Sequence, residues 1–171
     1  MGIRTILHYP DKRLREVGKR VEVVTPEIQK LVDDMAETMY AAPGVGLAAT
    51  QIGVALSIFV IDTAADGEPS QFRVFINPEI VESDGEITWN EGCLSFPEVH
   101  EEIDRAASVK VRAQDRDGKW FELKADDLLA VAIQHELDHL NGVLMIDHMG
   151  PLKKRIVHRQ MQKRADEHAS A

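Results

Sequence analysis

Residues 126–142 read Asp-Asp-Leu-Leu-Ala-Val-Ala-Ile-Gln-His-Glu-Leu-Asp-His-Leu-Asn-Gly. Apolar positions recur here at helical spacing, Asp126 or Asp127 suits the N-cap, and Gly142 suits the C-terminal side. The predicted helix contains His135-Glu136-Leu137-Asp138-His139, a His-Glu-x-x-His motif. Positions four apart lie on one helical face, so both imidazoles can reach a single cation. Glu136 falls beside them, able to exchange a proton with a water at that cation without being a ligand. Leu128, Val131 and Ala132 belong to the same face and would wall a dry cavity next to the ion. A helix of this kind has to be surrounded by the rest of the chain.

Outward from it, residues 26–39 carry Ile28, Leu31, Val32, Met35 and Met39 at helical spacing. Thr25 is placed to cap that helix, Pro26 takes its first position, and Pro43-Gly44 ends the segment. Residues 54–61, 72–76, 85–89, 108–113 and 120–123 have strand character, and 115–118 suit a hairpin turn between the last two. A third helix is expected over 151–168. The order predicts one α+β domain over residues 1–171, with antiparallel sheets packed around the central helix and a C-terminal helix behind.

The chain has 171 residues, 44% of them hydrophobic and 29% charged, which is the profile of an ordinary globular domain. Its longest apolar runs, 54–61 and 128–133, are too short to span a bilayer. The first residues lack an apolar core followed by a small-residue cleavage site, so a cytoplasmic address is expected. A net charge of −9 argues against a nucleic-acid binder, specific DNA included. Against that background, Lys153, Lys154, Arg155, Arg159, Lys163 and Arg164 form a basic run on the C-terminal helix. It reads either as a solvated face or as a contact for a polyanion such as ribosomal RNA.

A catalytic metal site needs a third protein ligand. Metzincin proteases find theirs downstream; Gly142 matches their glycine, but Met145 stands in place of their third histidine. The other candidate is the single cysteine, Cys93, in Glu91-Gly92-Cys93-Leu94-Ser95. It cannot form an internal disulfide. A lone cysteine is commonly a small buried hydrophobe, whereas a neighbouring metal would hold this one as the thiolate. Residue type alone leaves both readings open.

Gly44-Val45-Gly46-Leu47-Ala48-Ala49-Thr50-Gln51, Glu91-Gly92-Cys93-Leu94-Ser95 and Gln134-His135-Glu136-Leu137-Asp138-His139 together resemble the three signature motifs of the peptide deformylase family. They stand in that family's order and spacing, and the similarity covers nearly the whole chain. The resemblance implies that Cys93, His135 and His139 hold one divalent metal, ferrous iron physiologically, with zinc, nickel or cobalt as substitutes. It implies that Glu136 is the acid/base, and that the Gln51 amide and Leu94 N–H stabilise the oxyanion. Gly44, Val45 and Gly46 would offer a backbone edge on which the peptide lies as an added strand. Leu128, Val131 and Ala132 would receive the methionine side chain. Glu91 would be fixed by a cation, with Arg105 the first candidate, and His100 stands where some relatives carry an arginine at the pocket rim.

The implied reaction is hydrolysis of the formyl group from N-formylmethionyl peptides and nascent chains, releasing formate. A ribosome contact through the basic helix is a further expectation, and no membrane partner is expected. Two rival readings compete. One is a zinc endopeptidase on the same helix, taking a ligand such as His148 or His158. The other is a non-catalytic, metal-stabilised, ribosome-associated module, which would need neither Glu136 nor Gln51.

Overall fold

Thr25 opens helix α1 (Pro26–Ala41): its hydroxyl accepts the Ile28 N–H at 3.3 Å, and Pro26 sits where a helix has no use for an N–H. The chain continues through β1 (Gly46–Ala48), a 3-10 turn (Ala49–Ile52), β2 (Ile58–Asp62), β3 (Phe72–Asp84), β4 (Ile87–Cys93) and β5 (Phe96–Arg105). Strands β6 (Ser108–Gln114) and β7 (Trp120–Asp126), helix α2 (Asp127–Leu140) and helix α3 (Pro151–Ala169) complete it. The structure, a computed structural model, describes residues 2–169; residues 1, 170 and 171 of the expected domain lie outside the described residues.

Five strands form one antiparallel sheet in the order β1-β2-β3-β6-β7, and β4 and β5 pair as a separate hairpin. Strand β2 is buried along its whole length because both faces of the large sheet are covered. Successive side chains on a strand point to opposite faces. Phe59 and Ile61 accordingly join a core with Ala130, Ile133 and Leu140 of α2, while Ile58 and Val60 join Leu31, Val32, Met35 and Met39 of α1. The hairpin closes a third core, in which Phe96, Val99 and Ile103 meet Leu7, Leu14, Leu144 and, from α3, Val157 and Met161. Helix α2 is thus enclosed between sheet and hairpin, the α+β arrangement expected from the sequence. Gly142 ends it at φ 73°, and a Cβ there would stand 2.7 Å from the Arg15 carbonyl oxygen, so glycine is required.

Several strand boundaries differ from expectation, each for a local reason. Residues 54–57 are not in a strand: the Val54 N–H bonds to the Ala49 carbonyl, the Leu56 N–H to the Val54 carbonyl, and Ala55 and Ser57 bond to Lys19. Strand β3 runs on past Asn77-Pro78 to Asp84: Asn77 adopts φ 54° and its side chain bonds both backbone groups of Val21, so the strand absorbs an irregularity that reads as a turn. Gly85 belongs to the turn before β4, which extends to Cys93. Strand β5 has one solvent face rich in charge and a bulge that breaks its alternation, which hid it from a period-two reading. Strand β1 is too short to show any period.

Asp62, the last residue of β2, organises the loop to β3. Its buried carboxylate accepts from the Tyr40 hydroxyl (2.5 Å), the Ser70 hydroxyl (2.9 Å) and the Ala64 and Gln71 N–H groups (2.9 and 3.1 Å). Burial would raise its pKa, but these donors together hold it below the ordinary carboxyl value. A depressed native value stabilises the fold at pH above the unfolded value near 3.9 and loses that contribution as pH falls through the native value. Asp62→Asn should therefore lower the unfolding free energy at pH 7 by about 1–3 kcal/mol. In urea titrations the gap between the two proteins should close below about pH 4; a gap of constant size would contradict the assignment.

Candidate metal centre

Helix α2 presents His135 and His139 on its buried side, their ring centroids 5.0 Å apart, toward the end of β4 where Cys93 sits. One ligand atom from each of Cys93, His135 and His139 lies within 4.8 Å of the other two, and no other such group occurs among the described residues. Cys93 Sγ stands 3.3 Å from His139 Nε2. One thiol and two imidazoles converging in this way form a donor set that suits a borderline divalent ion. The proteolytic ligands considered above are elsewhere: His148 Nε2 is 3.0 Å from Asp138, and His158 Nδ1 is 2.5 Å from the Tyr9 hydroxyl.

The imidazoles are held from behind by charge. Glu91 Oε1, on β4, lies 2.9 Å from His135 Nδ1 and leaves Nε2 for the centre. Both Glu91 oxygens are engaged by Arg105 of β5 at 2.8 Å, a bidentate pair. Arg105 also donates to Asp138 of α2 at 2.6 Å. Arg105 is therefore the cation on Glu91, and it also binds the half-exposed Asp138. Burial favours a neutral Glu91, yet the hydrogen bonds from Arg105 and His135 outweigh it and hold the carboxyl below its ordinary value.

The two histidines are polarised in opposite senses. Burial lowers both, but hydrogen bonds to Cys93 and Glu91 lift His135 well above the ordinary imidazole value. His139 falls well below it through burial and the charges of His135 and Arg105. A cation arriving here displaces a proton, as metal binding to acidic ligands requires. Glu136 is pushed up to about 7, chiefly by burial. Its Oε1 has no hydrogen-bond partner among the described residues, as is also true of His139 Nδ1. A Cβ on Gly46 would stand 2.6 Å from Glu136 Oε2, so any side chain there would displace this carboxylate. A buried carboxyl without a partner beside three convergent ligands is what a metal-activated water would complete, and the residues fit such an ion.

A cleft of about 650 Å³ opens onto the centre. Gly44, Val45 and Gly46 form one wall, and Leu128, Val131 and Ala132 form the apolar floor. Gln51, Glu91, Cys93, Leu94, His100, His135 and Glu136 also line it. Of the metal, catalytic and substrate-contacting residues expected from the sequence, all but His139 border this one cavity, and His139 Nε2 lies 3.3 Å from Cys93 Sγ. Ser95 was not anticipated. Its buried hydroxyl accepts from Gln51 Nε2 at 3.0 Å while the Ala48 N–H donates to Gln51 Oε1 at 3.0 Å, which fixes the amide with Nε2 3.8 Å from Cys93 Sγ. Only its place in the motif around Cys93 could have drawn attention to it.

The family model described as polypeptide deformylase matches residues 3–155. A peptide deformylase of Chromobacterium violaceum is 52% identical over 164 residues, spanning 96% of this chain and 97% of that one. The crystal structure of a peptide deformylase from Legionella pneumophila superposes with a TM-score of 0.90 at 47% identity, covering 99% of each chain. That of an Ehrlichia chaffeensis peptide deformylase in complex with actinonin gives 0.91 at 37% identity, covering 96% of this chain and 98% of the other.

Removing Arg105 would leave two buried or half-buried carboxylates without their counter-charge. Arg105→Met should cost about 3–5 kcal/mol in urea unfolding at pH 7. The same change made on top of Glu91→Gln should cost clearly less, because the two residues are coupled. Additive costs would show that the pair does not act as a unit.

Proposed function

This chain belongs to the polypeptide deformylase family, a metal-dependent hydrolase that removes the formyl group from the N-terminal formylmethionine of new polypeptides, and from that footing we propose how its residues divide the work. Cys93, His135 and His139 are the ligands. A divalent ion held by them would supply the Lewis acidity to activate water and polarise the formyl carbonyl. Glu136 takes a proton from the attacking water and delivers it to the departing amine nitrogen, a poor leaving group unless protonated. A carboxyl pushed up to about 7 suits transfer in both directions near neutral pH. The Gln51 amide, fixed by Ser95 and Ala48, and the Leu94 N–H face the developing oxyanion.

Strand β1 is the edge of the large sheet, paired to β2 on one side only. Its free edge borders the cleft, and the peptide backbone aligns there as an added strand, directing the methionine side chain onto Leu128, Val131 and Ala132. His100 stands at the rim. The single observation that carries this division of roles is the buried, unpartnered Glu136 carboxyl beside three convergent ligands.

Ferrous iron is the ion we favour, with zinc, nickel and cobalt as substitutes that the same donors accept. A thiolate that must stay reduced fits a cytoplasmic setting. No helix is long and apolar enough to cross a membrane. On α3, Lys154, Arg155, Arg159 and Lys163 are exposed while Val157 and Met161 dock the helix, leaving a basic face for ribosomal RNA.

Two experiments test this reading. Anaerobically prepared, iron-loaded protein should release formate from formyl-Met-Ala-Ser, and Glu136→Gln should lose about 100- to 10,000-fold while keeping its metal; undiminished turnover by the variant would refute the acid/base role. Replacing Lys154, Arg155, Arg159 and Lys163 by Glu should abolish salt-sensitive co-sedimentation with ribosomes without affecting formate release from the tripeptide. Unchanged co-sedimentation would refute the ribosomal contact.

A further inference from the structure

The hairpin that carries Cys93 contains an irregularity at the mouth of the cleft. Gly92 pairs with His100 on β5, but its neighbour Cys93 pairs with Phe96, so Pro97, Glu98 and Val99 form a bulge with no counterparts on β4. Within that bulge Glu98 adopts φ 65°. This region is natural for glycine or asparagine and strained for a glutamate. The twist turns Val99 into the core with Phe96 and Ile103, and leaves Glu98 exposed on the cleft wall. Bulges beside active sites commonly re-aim a side chain in this way.

The charge of the cleft gives that placement a meaning. No lysine or arginine lines it among the described residues. Of the three glutamates that do, Glu91 is neutralised by Arg105 and Glu136 is buried at the centre, which leaves Glu98 as the exposed carboxylate. Lys153 of α3 reaches this strand, but it is bound to the Glu101 carboxylate and the His100 carbonyl. We infer that Glu98 is a specificity determinant that favours substrates with a cationic side chain at one of the first two residues after the formylmethionine. The inference rests on the proposed lie of the peptide along β1, which leads the chain out of the cleft past this bulge.

The test compares kcat/KM for formyl-Met-Xaa-Ser and formyl-Met-Ala-Xaa, with Xaa as Lys, Gln or Glu, in the iron-loaded wild type and Glu98→Gln. An exposed charge pair gives a modest effect, so Lys should exceed Glu about two- to fivefold at one of the two positions at low ionic strength, and less in high salt. In Glu98→Gln that ratio should approach one. A wild-type ratio near one at both positions overturns the proposal but leaves the deformylase reading intact. So does a ratio that survives in Glu98→Gln, since the net negative charge of the whole protein would then be its source. Absence of formate from every peptide overturns both.

Discussion

The Arg105 guanidinium, clasped by Glu91 on one side and Asp138 on the other, ties the β4–β5 hairpin to helix α2, and the cleft lies between those two elements. Cys93 comes from the hairpin and both histidines come from the helix. Their convergence therefore depends on the register between two pieces of structure that share no hydrogen-bonded ladder. Glu91 extends the same tie to His135 Nδ1, so one guanidinium sets the spacing of the elements and, through a carboxylate, the orientation of the His135 ring.

Such a network is an expensive way to hold a fold together. Charges taken from water are repaid only when every partner is in place, and apolar side chains of similar volume often stabilise as well or better. Here the apolar alternative is already used on the far side of α2, where Ile133 and Leu140 pack on Phe59 and Ile61. That core secures the helix against the sheet without fixing its rotation to the accuracy a metal demands. The polar face does so because hydrogen bonds tolerate only small errors in distance and angle. The same enclosure that brings Cys93, His135 and His139 together also desolvates Glu136 and lifts its pKa.

How much of this was legible beforehand varied with the range of the interaction. His135 and His139 are related by one helical turn, so their common face followed from spacing. Thr25 and Gly142 marked helix ends through local rules and did so correctly. Cys93 lies 42 residues before His135 in the sequence and drew attention only through its motif, since nothing local distinguishes a ligand from a buried thiol. Strand β5 escaped because its exposed face is charged and its bulge interrupts the alternation. The Asp138 tie to Arg105 and the Ser95 support of Gln51 join distant segments, and no periodicity encodes them. The left-handed turn at Glu98 was equally invisible, because composition favours no such conformation for glutamate.

The central claim is that one thiolate and two imidazoles from these elements hold a single divalent ion. Cobalt(II) reports it most directly. Anaerobic substitution should give one cobalt per chain, with an intense near-ultraviolet sulfur-to-cobalt charge-transfer band that disappears in Cys93→Ala. Stoichiometric cobalt without that band, or a band that persists in the variant, would contradict the account.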